Sequence, residues 1–259
     1  MSVKNVFLPV QKNKMTKKYF VTAILVFCIF SMAYTQEKKK KAYRPDIPGF
    51  FLVDLGFNNG MSRPAFFNQG FWGSRTLNVY YHYPIQIGNS KFSYNPGGGF
   101  AFERFKFTNN YTLSSQIGQD GSYDLVPITQ LAFFASGSVS VQKSMLVANY
   151  FDLMPVEFRF DTNPKNPASG FNFSVGGRVG FLMDSHTKIK YSMNGVNGVY
   201  KDKQTHGLNQ LRYGFYTRVG IGNFNLFYQY NLSPYFSGNS GPSQTGMNVM
   251  TIGISLNGL

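Results

Sequence analysis

Asp184, Ser185 and His186 stand in a row, and His206 follows in the same polar stretch. These are the residue types of an orienting acid, a nucleophile and a general base, and at a membrane surface they would suit an acyl hydrolase or acyltransferase acting on lipid. That chemistry needs the three side chains joined by hydrogen bonds. Neighbours along a chain rarely achieve this, so the run reads better as a polar entry to a loop, and no catalytic residue is assigned. The three histidines, His82, His186 and His206, lack the clustered spacing of metal ligands. The glycine-rich runs NPGGGFAF and SVGGRVG precede no helical pattern, which a phosphate-cradling loop requires. Neither a metal nor a cofactor is expected.

A larger ionisable set lies elsewhere. Asp54, His82, Glu103, Asp152, Glu157, Arg159, Arg178, Arg212 and Arg218 carry both signs, and each has an aliphatic or aromatic residue beside it. The elements that would position them have a period of two. In LRYGFYTRVGIGNFNLFYQYNL, residues 211–232, Leu211, Tyr213, Phe215, Val219 and Ile221 alternate with Arg212, Gly214, Tyr216, Arg218 and Gly220. Beyond Gly222-Asn223 the alternation resumes, and two such runs about a two-residue turn read as a β-hairpin. Similar patterns mark 49–58, 76–85, 91–107, 143–160 with Pro155 at a bulge, 170–183 and 248–256, giving eight strands in all.

The connections decide the solvent. In chain order they cover 59–74, 88–90, 108–142, 162–169, 184–207, 222–223 and 233–245, long alternating with short. A soluble sandwich has no reason to send every long loop to one end, whereas an outer-membrane barrel has short periplasmic turns and longer outer loops. The expected fold is therefore all-β, an eight-stranded antiparallel transmembrane β-barrel. The ionisable set then points into the lumen, where charges removed from water must pair. The inward glycines Gly97, Gly99, Gly176, Gly180, Gly214 and Gly220 would leave room for those long side chains.

Composition agrees. Aromatic residues make up 17% of the 259 residues and charged residues only 14%, well below the usual quarter for a soluble surface. Lys17 and Lys18 precede an apolar run at 20–30, and Ser31-Met32-Ala33 places small residues where a signal peptidase cleaves. The run is shorter than the roughly 20 residues of a spanning helix. Residues 1–33 are thus expected to form a cleaved signal peptide, 34–48 a basic periplasmic tail holding Lys38 to Lys41, and 49–259 the barrel. Met15 offers an alternative start. The sole cysteine, Cys28, would leave with the leader, so the exported chain would hold without disulfides. Part of the formal charge of +14 leaves with the leader as well. For an exported protein, the remaining basic residues favour phosphate-bearing lipid and lipopolysaccharide as partners over nucleic acid.

Two loop features stand out. The first long loop carries Phe66, Phe67, Phe71 and Trp72, the only tryptophan. These form either an aromatic girdle at headgroup level or a docking surface for a protein partner. Lys188, Lys190, Lys201 and Lys203 are expected in the third long loop, where they contact lipopolysaccharide phosphates or solvent.

The segment LVANYFDLMPVEF, residues 146–158, resembles the Tyr-x-Glu-Ile-Pro-Leu strand of the Bacteroidetes outer-membrane β-barrel family that includes the PorT-like proteins, with Asp152 at the acidic position. Residues 208–236 resemble that family's last long hairpin, with a Leu-x-Pro-Phe-like loop entry at 232–236. The likeness covers about 49–256. It implies an outer-membrane location and a link to the secretion and gliding machinery of that phylum. The function expected is non-enzymatic: a structural or accessory component of a secretion, gliding or adhesion complex, working through outer loops or the basic tail. Two other readings are a lipid A-modifying hydrolase or acyltransferase, and a narrow channel.

Overall fold

The computed structural model describes residues 49–115, 122–135, 137–238, 240–242 and 246–258. The expected leader and basic tail lie outside them. Eight strands form the wall: β1 (Phe50–Met61), β2 (Arg75–His82), β3 (Gly97–Phe107), β4 (Val139–Asp161), β5 (Phe171–Met193), β6 (Leu211–Ile221), β7 (Phe224–Asn231) and β8 (Asn248–Asn257). Each pairs antiparallel with its neighbours in sequence, and β8 returns to β1 through Leu52–Asn257 to Met61–Asn248. The sheet therefore closes on itself and, along its barrel strands, has no edge.

Closure follows from the alternation. One phase carries Phe51, Leu55, Leu77, Phe100, Phe102, Phe173, Phe215 and Ile254, all exposed on the outer wall. The other carries Asp54, Asn78, Glu103, Asp152, Asn172, Arg212 and Thr251, all buried in the lumen. A continuous apolar exterior around a polar interior is the inverse of a soluble protein, and it suits a hydrocarbon surround. At the β6–β7 turn Gly222 alone takes a positive φ, +59°. Glycine at the first of two central positions is the pattern of a type II′ turn, whose twist matches the flanking strands.

The structure corrects three expectations. The strand expected over 91–107 is broken at Asn95-Pro96, leaving a short strand Phe92–Tyr94 before β3. Pro96 has no N–H for the ladder, and β4 answers with a register shift between Leu153 and Val156, around Pro155. Tyr94 locks the two kinks by donating to the Pro155 carbonyl. Consequently the β2–β3 connection is 83–96, not 88–90, and contains a small hairpin of Ile85–Gln86 with Phe92–Tyr94.

Secondly, most of the stretch 184–207 is strand rather than loop. β5 continues to Met193 and turns at Asn194-Gly195, both at positive φ (52° and 79°), into a further strand Val196–Asp202. Positive φ at both central residues is the type I′ hairpin geometry that Asn-Gly favours. Thirdly, β4 starts four residues earlier than expected, at Val139, and pairs with the extension of β5. Together the three form a sheet that stands beyond the barrel at its long-loop end. Its inner face is backed by the loop segment 124–134, where Val126, Ile128, Leu131 and Phe134 pack on Ile189.

Candidate functional site

All nine expected lumen residues are buried inside the barrel. From the short-turn end inward, Arg159 meets Asp161 through Nε at 2.9 Å and Nη2 at 3.0 Å. This pair lines a hollow of about 320 Å³ with Phe50, Pro84, Asn95 and Asn223 at the mouth. Next, Arg218 bridges Glu157 at 3.0 Å and Asp54 at 3.1 Å, and Tyr216 donates to Glu157 at 2.9 Å. His82 Nδ1 lies 3.2 Å from the Asn95 carbonyl and 3.6 Å from Glu157.

The second knot centres on Asp152. Its carboxylate accepts from Arg212 at 2.7 Å, Tyr80 at 2.7 Å and Arg178 at 3.1 Å. Arg212 also donates to Glu103 at 2.5 Å, and Arg178 to Asn231 at 2.6 Å. The Arg212 guanidinium lies 3.6 Å above the Tyr150 ring. Gly180 makes this possible: a Cβ there would fall 2.1 Å from Asp152 Oδ1 and 2.7 Å from Arg212 Nε.

Above the ions the lumen becomes apolar. Phe105, Phe107, Leu146 and Tyr150 point inward, and Phe67, Leu113, Leu208, Tyr235 and Phe236 descend from the loops to meet them. Edge-on aromatic contacts knit this plug, with Phe67 at 5.1 Å from Phe107 and 5.5 Å from Phe105 between ring centroids. An ionic layer and an apolar layer thus fill the lumen in series, as the small diameter of an eight-stranded barrel allows.

The first-loop aromatics divide three ways. Phe67 is 1% exposed in the plug and does not belong to a surface patch. Phe71 stacks on outward-facing Phe57 at 4.8 Å, with Trp72 edge-on at 5.5 Å and 72% exposed, so this pair lies along the wall. Phe66 stacks on Tyr111 in the neighbouring loop.

The residues with enzymatic letters do not assemble. Successive residues on β5 face opposite sides, and Ser185 spends its hydroxyl on the Gln204 carbonyl at 2.5 Å. His186 Nδ1 instead lies 3.4 Å from Asp184. His206 is buried with φ +51°, its Nε2 3.6 Å from Asp202 and its ring 5.4 Å from Tyr123. Burial lowers its pKa, and Asp202 opposes that shift in part.

Of the four lysines, Lys188 and Lys190 sit on the β5 extension and Lys201 on the following strand, opposite Lys188. Lys203 lies beyond that strand and is exposed. Four further cations were not singled out in the sequence: Arg75, Arg104, Lys106 and Lys143 share the same outward face. In register, Arg75 is beside Arg104, Lys106 beside Met145, Met145 beside Lys188, and Lys143 beside Lys190. The readable signal is in FAFERFKF. Phe100 and Phe102 face outward, so Arg104 and Lys106 must follow them, while Phe105 and Phe107 turn inward. The swap marks the upper edge of the apolar belt.

No protein-family model matches the chain, and no curated protein sequence matches it. Among solved structures, similarity is found to Ail, the attachment invasion locus protein of Yersinia pestis, at 14% identity and TM-score 0.34, covering 82% of this chain and 99% of that one. The same protein in complex with the heparin analogue sucrose octasulfate aligns at 16% identity and TM-score 0.34, with the same coverage. Neisserial surface protein A aligns at 10% identity and TM-score 0.35, covering 81% of this chain and 96% of that one.

Proposed function

We propose that this is a non-enzymatic outer-membrane barrel that acts through the surface at its long-loop end, as an accessory component of a secretion, gliding or adhesion complex. The observation that carries this reading is the division of the molecule. The lumen is filled by interlocked charges and an aromatic plug, while β4, β5 and the strand Val196–Asp202 build a sheet that continues past the barrel at the long-loop end. Ordering that much backbone is costly. A barrel that served only as wall or pore has no use for it.

In this reading the short turns face the periplasm and the long loops face outward, as export from the periplasmic side requires. Membership of the PorT-like family is part of the proposal, supported by LVANYFDLMPVEF and the final hairpin. Among the described residues the strand Val196–Asp202 pairs only with β5, and its other edge, unpaired there, is flanked by exposed Val196 and Val199. Such an edge is a template for strand addition by another chain.

The test is a photo-crosslinking amino acid placed at Val199 in the full chain in cells, with Phe158 in the membrane belt as the comparison. A defined protein adduct from Val199 and none from Phe158 is the expected result. Adducts confined to lipid at both positions would remove the accessory reading.

A further inference from the structure

The outward face of β1 to β5 changes character at one level. Below it stand Leu55, Leu77 and Phe102, exposed in the apolar belt. Immediately above, at three successive levels set by the register of four adjacent strands, stand Arg75 beside Arg104, Lys106 with Lys188 across Met145, and Lys143 beside Lys190. A hollow of about 440 Å³ spans the boundary, with Leu77, Phe102 and Val147 on its apolar side and Arg75, Arg104 and Lys188 on its cationic side.

None of these six cations is in an ion pair among the described residues, whereas every lumen arginine is. Asp184, an acid on that face, is turned toward His186 and Asn149, and Glu103, which also borders the hollow, is held by Arg212. Arg104 Nε is buried and has no hydrogen-bond partner among the described residues. Arg75 is held in place by donating to the Trp72 carbonyl at 2.6 Å, and the stem of Lys106 lies against Gly73, where any Cβ would strike it at 2.4 Å. The group repels itself: burial first, then Arg104, Lys106, Lys190 and Lys188 in turn, lowers the pKa of Lys143. Like charges gathered at this density call for a multivalent anion.

The height of the patch identifies the anion's carrier. It lies at the rim of the belt, level with the Phe71–Trp72 girdle stacked on Phe57, the partner of Arg75 across the β1–β2 ladder. We infer that this wall is a binding site for a phosphorylated glycolipid of the outer leaflet, its phosphate held by Arg75, Arg104 and Lys188 and an acyl chain laid on Leu77 and Phe102. Lys106, Lys143 and Lys190 supply the remaining positive field. Lys201 stands at the margin and Lys203 outside. The assignment rests on the outward orientation of the long loops proposed above, and it extends the lipopolysaccharide contact from the base of the hairpin onto the barrel wall.

The experiment uses the full-length protein reconstituted in nanodiscs containing bisphosphorylated lipid A or the same lipid dephosphorylated, with retained lipid measured by native mass spectrometry. Wild type and a charge-matched control, R63Q/K91Q/K165Q, are expected to keep phosphorylated lipid A. The variant R75Q/R104Q/K188Q is expected to lose it by about tenfold or more, and dephosphorylated lipid is retained by none. Heat-modifiable migration in gels verifies that each variant is folded. Equal retention by the triple variant, or equal retention of the dephosphorylated lipid, overturns the site. Binding of inorganic phosphate that displaces lipid A makes it a free-anion site and overturns the lipid assignment. Labelling of a Ser192→Cys variant from outside intact cells, in a C28S background, separates the two claims. Label without lipid retention defeats the site alone, and no label defeats the orientation on which it rests.

Discussion

The guanidinium of Arg212 spans both oxygens of Asp152, with Nη2 at 2.9 Å from Oδ1 and 2.7 Å from Oδ2. The same carboxylate holds Arg178, so one acid fixes two cations that Glu103 alone would have to neutralise. Breaking a buried pair leaves an uncompensated charge, which is worse than never burying it. Asp152→Asn should therefore lower the unfolding free energy of the barrel in lipid vesicles by about 3–5 kcal/mol, read from urea midpoints. Asp161→Asn should cost less, because it strands only Arg159 near the mouth. Equal small effects from both would mean that the Asp152 knot is relaxed by solvent.

The same knot depends on a missing side chain. Gly180→Ala drives a methyl into Asp152 Oδ1 and should cost about 1–3 kcal/mol, the range for overpacking. Gly177, three residues earlier and outward-facing, has nothing nearer than the Gly214 carbonyl at 4.0 Å. Alanine there should leave stability within about 0.5 kcal/mol. A matched pair of urea titrations checks both, and comparable losses would show that backbone strain, not the knot, sets the requirement at Gly180.

Two independent layers close the lumen, so opening one should not open a path. Phe67→Ala with Phe236→Ala removes the centre of the plug, where the two rings lie 6.1 Å apart. The double variant should be destabilised, each truncation costing about 3–5 kcal/mol if it remains folded. It should still pass no current in planar bilayers, because Arg178, Arg212 and Arg218 remain crossed below. Conductance in this variant would show that the aromatic layer is the seal and that the ionic layer is permeable.

The legibility of the fold differs with the physical source of each signal. A period of two survives wherever one face meets lipid and the other the lumen, so the strands and the buried phase carrying Asp54, Asp152 and Arg212 could be read directly. Where β4 and β5 leave the membrane, both faces become mixed, and Lys188-Ile189-Lys190-Tyr191 looks polar enough for a loop. Asn194-Gly195 was the available cue, a turn pair that demands positive φ twice. The plug had no local cue, because Phe67 and Phe236 meet only after closure, across a long sequence separation. Composition places Phe67 with Phe66 and Phe71, and tertiary packing alone separates it from them.

His206 is expected to couple the long loops to pH. Its ring is buried between Tyr123 and Asp202, and burial holds its pKa below the ordinary value of about 6.5. A base with a depressed pKa binds fewer protons folded than unfolded, so stability rises with pH across the gap. The contribution is complete above pH of about 6.5 and declines as the pH falls from there toward the folded value. Asp202 limits the loss by favouring the charged ring. Backbone amide exchange of residues 203–210 should accelerate, after correction for intrinsic rates, between pH of about 7 and 5. His206→Phe should flatten that dependence. If exchange in this segment is equally pH-dependent in the variant, a group other than His206 governs the opening, and Asp202 with its carboxylate 3.6 Å from the ring becomes the one to replace next.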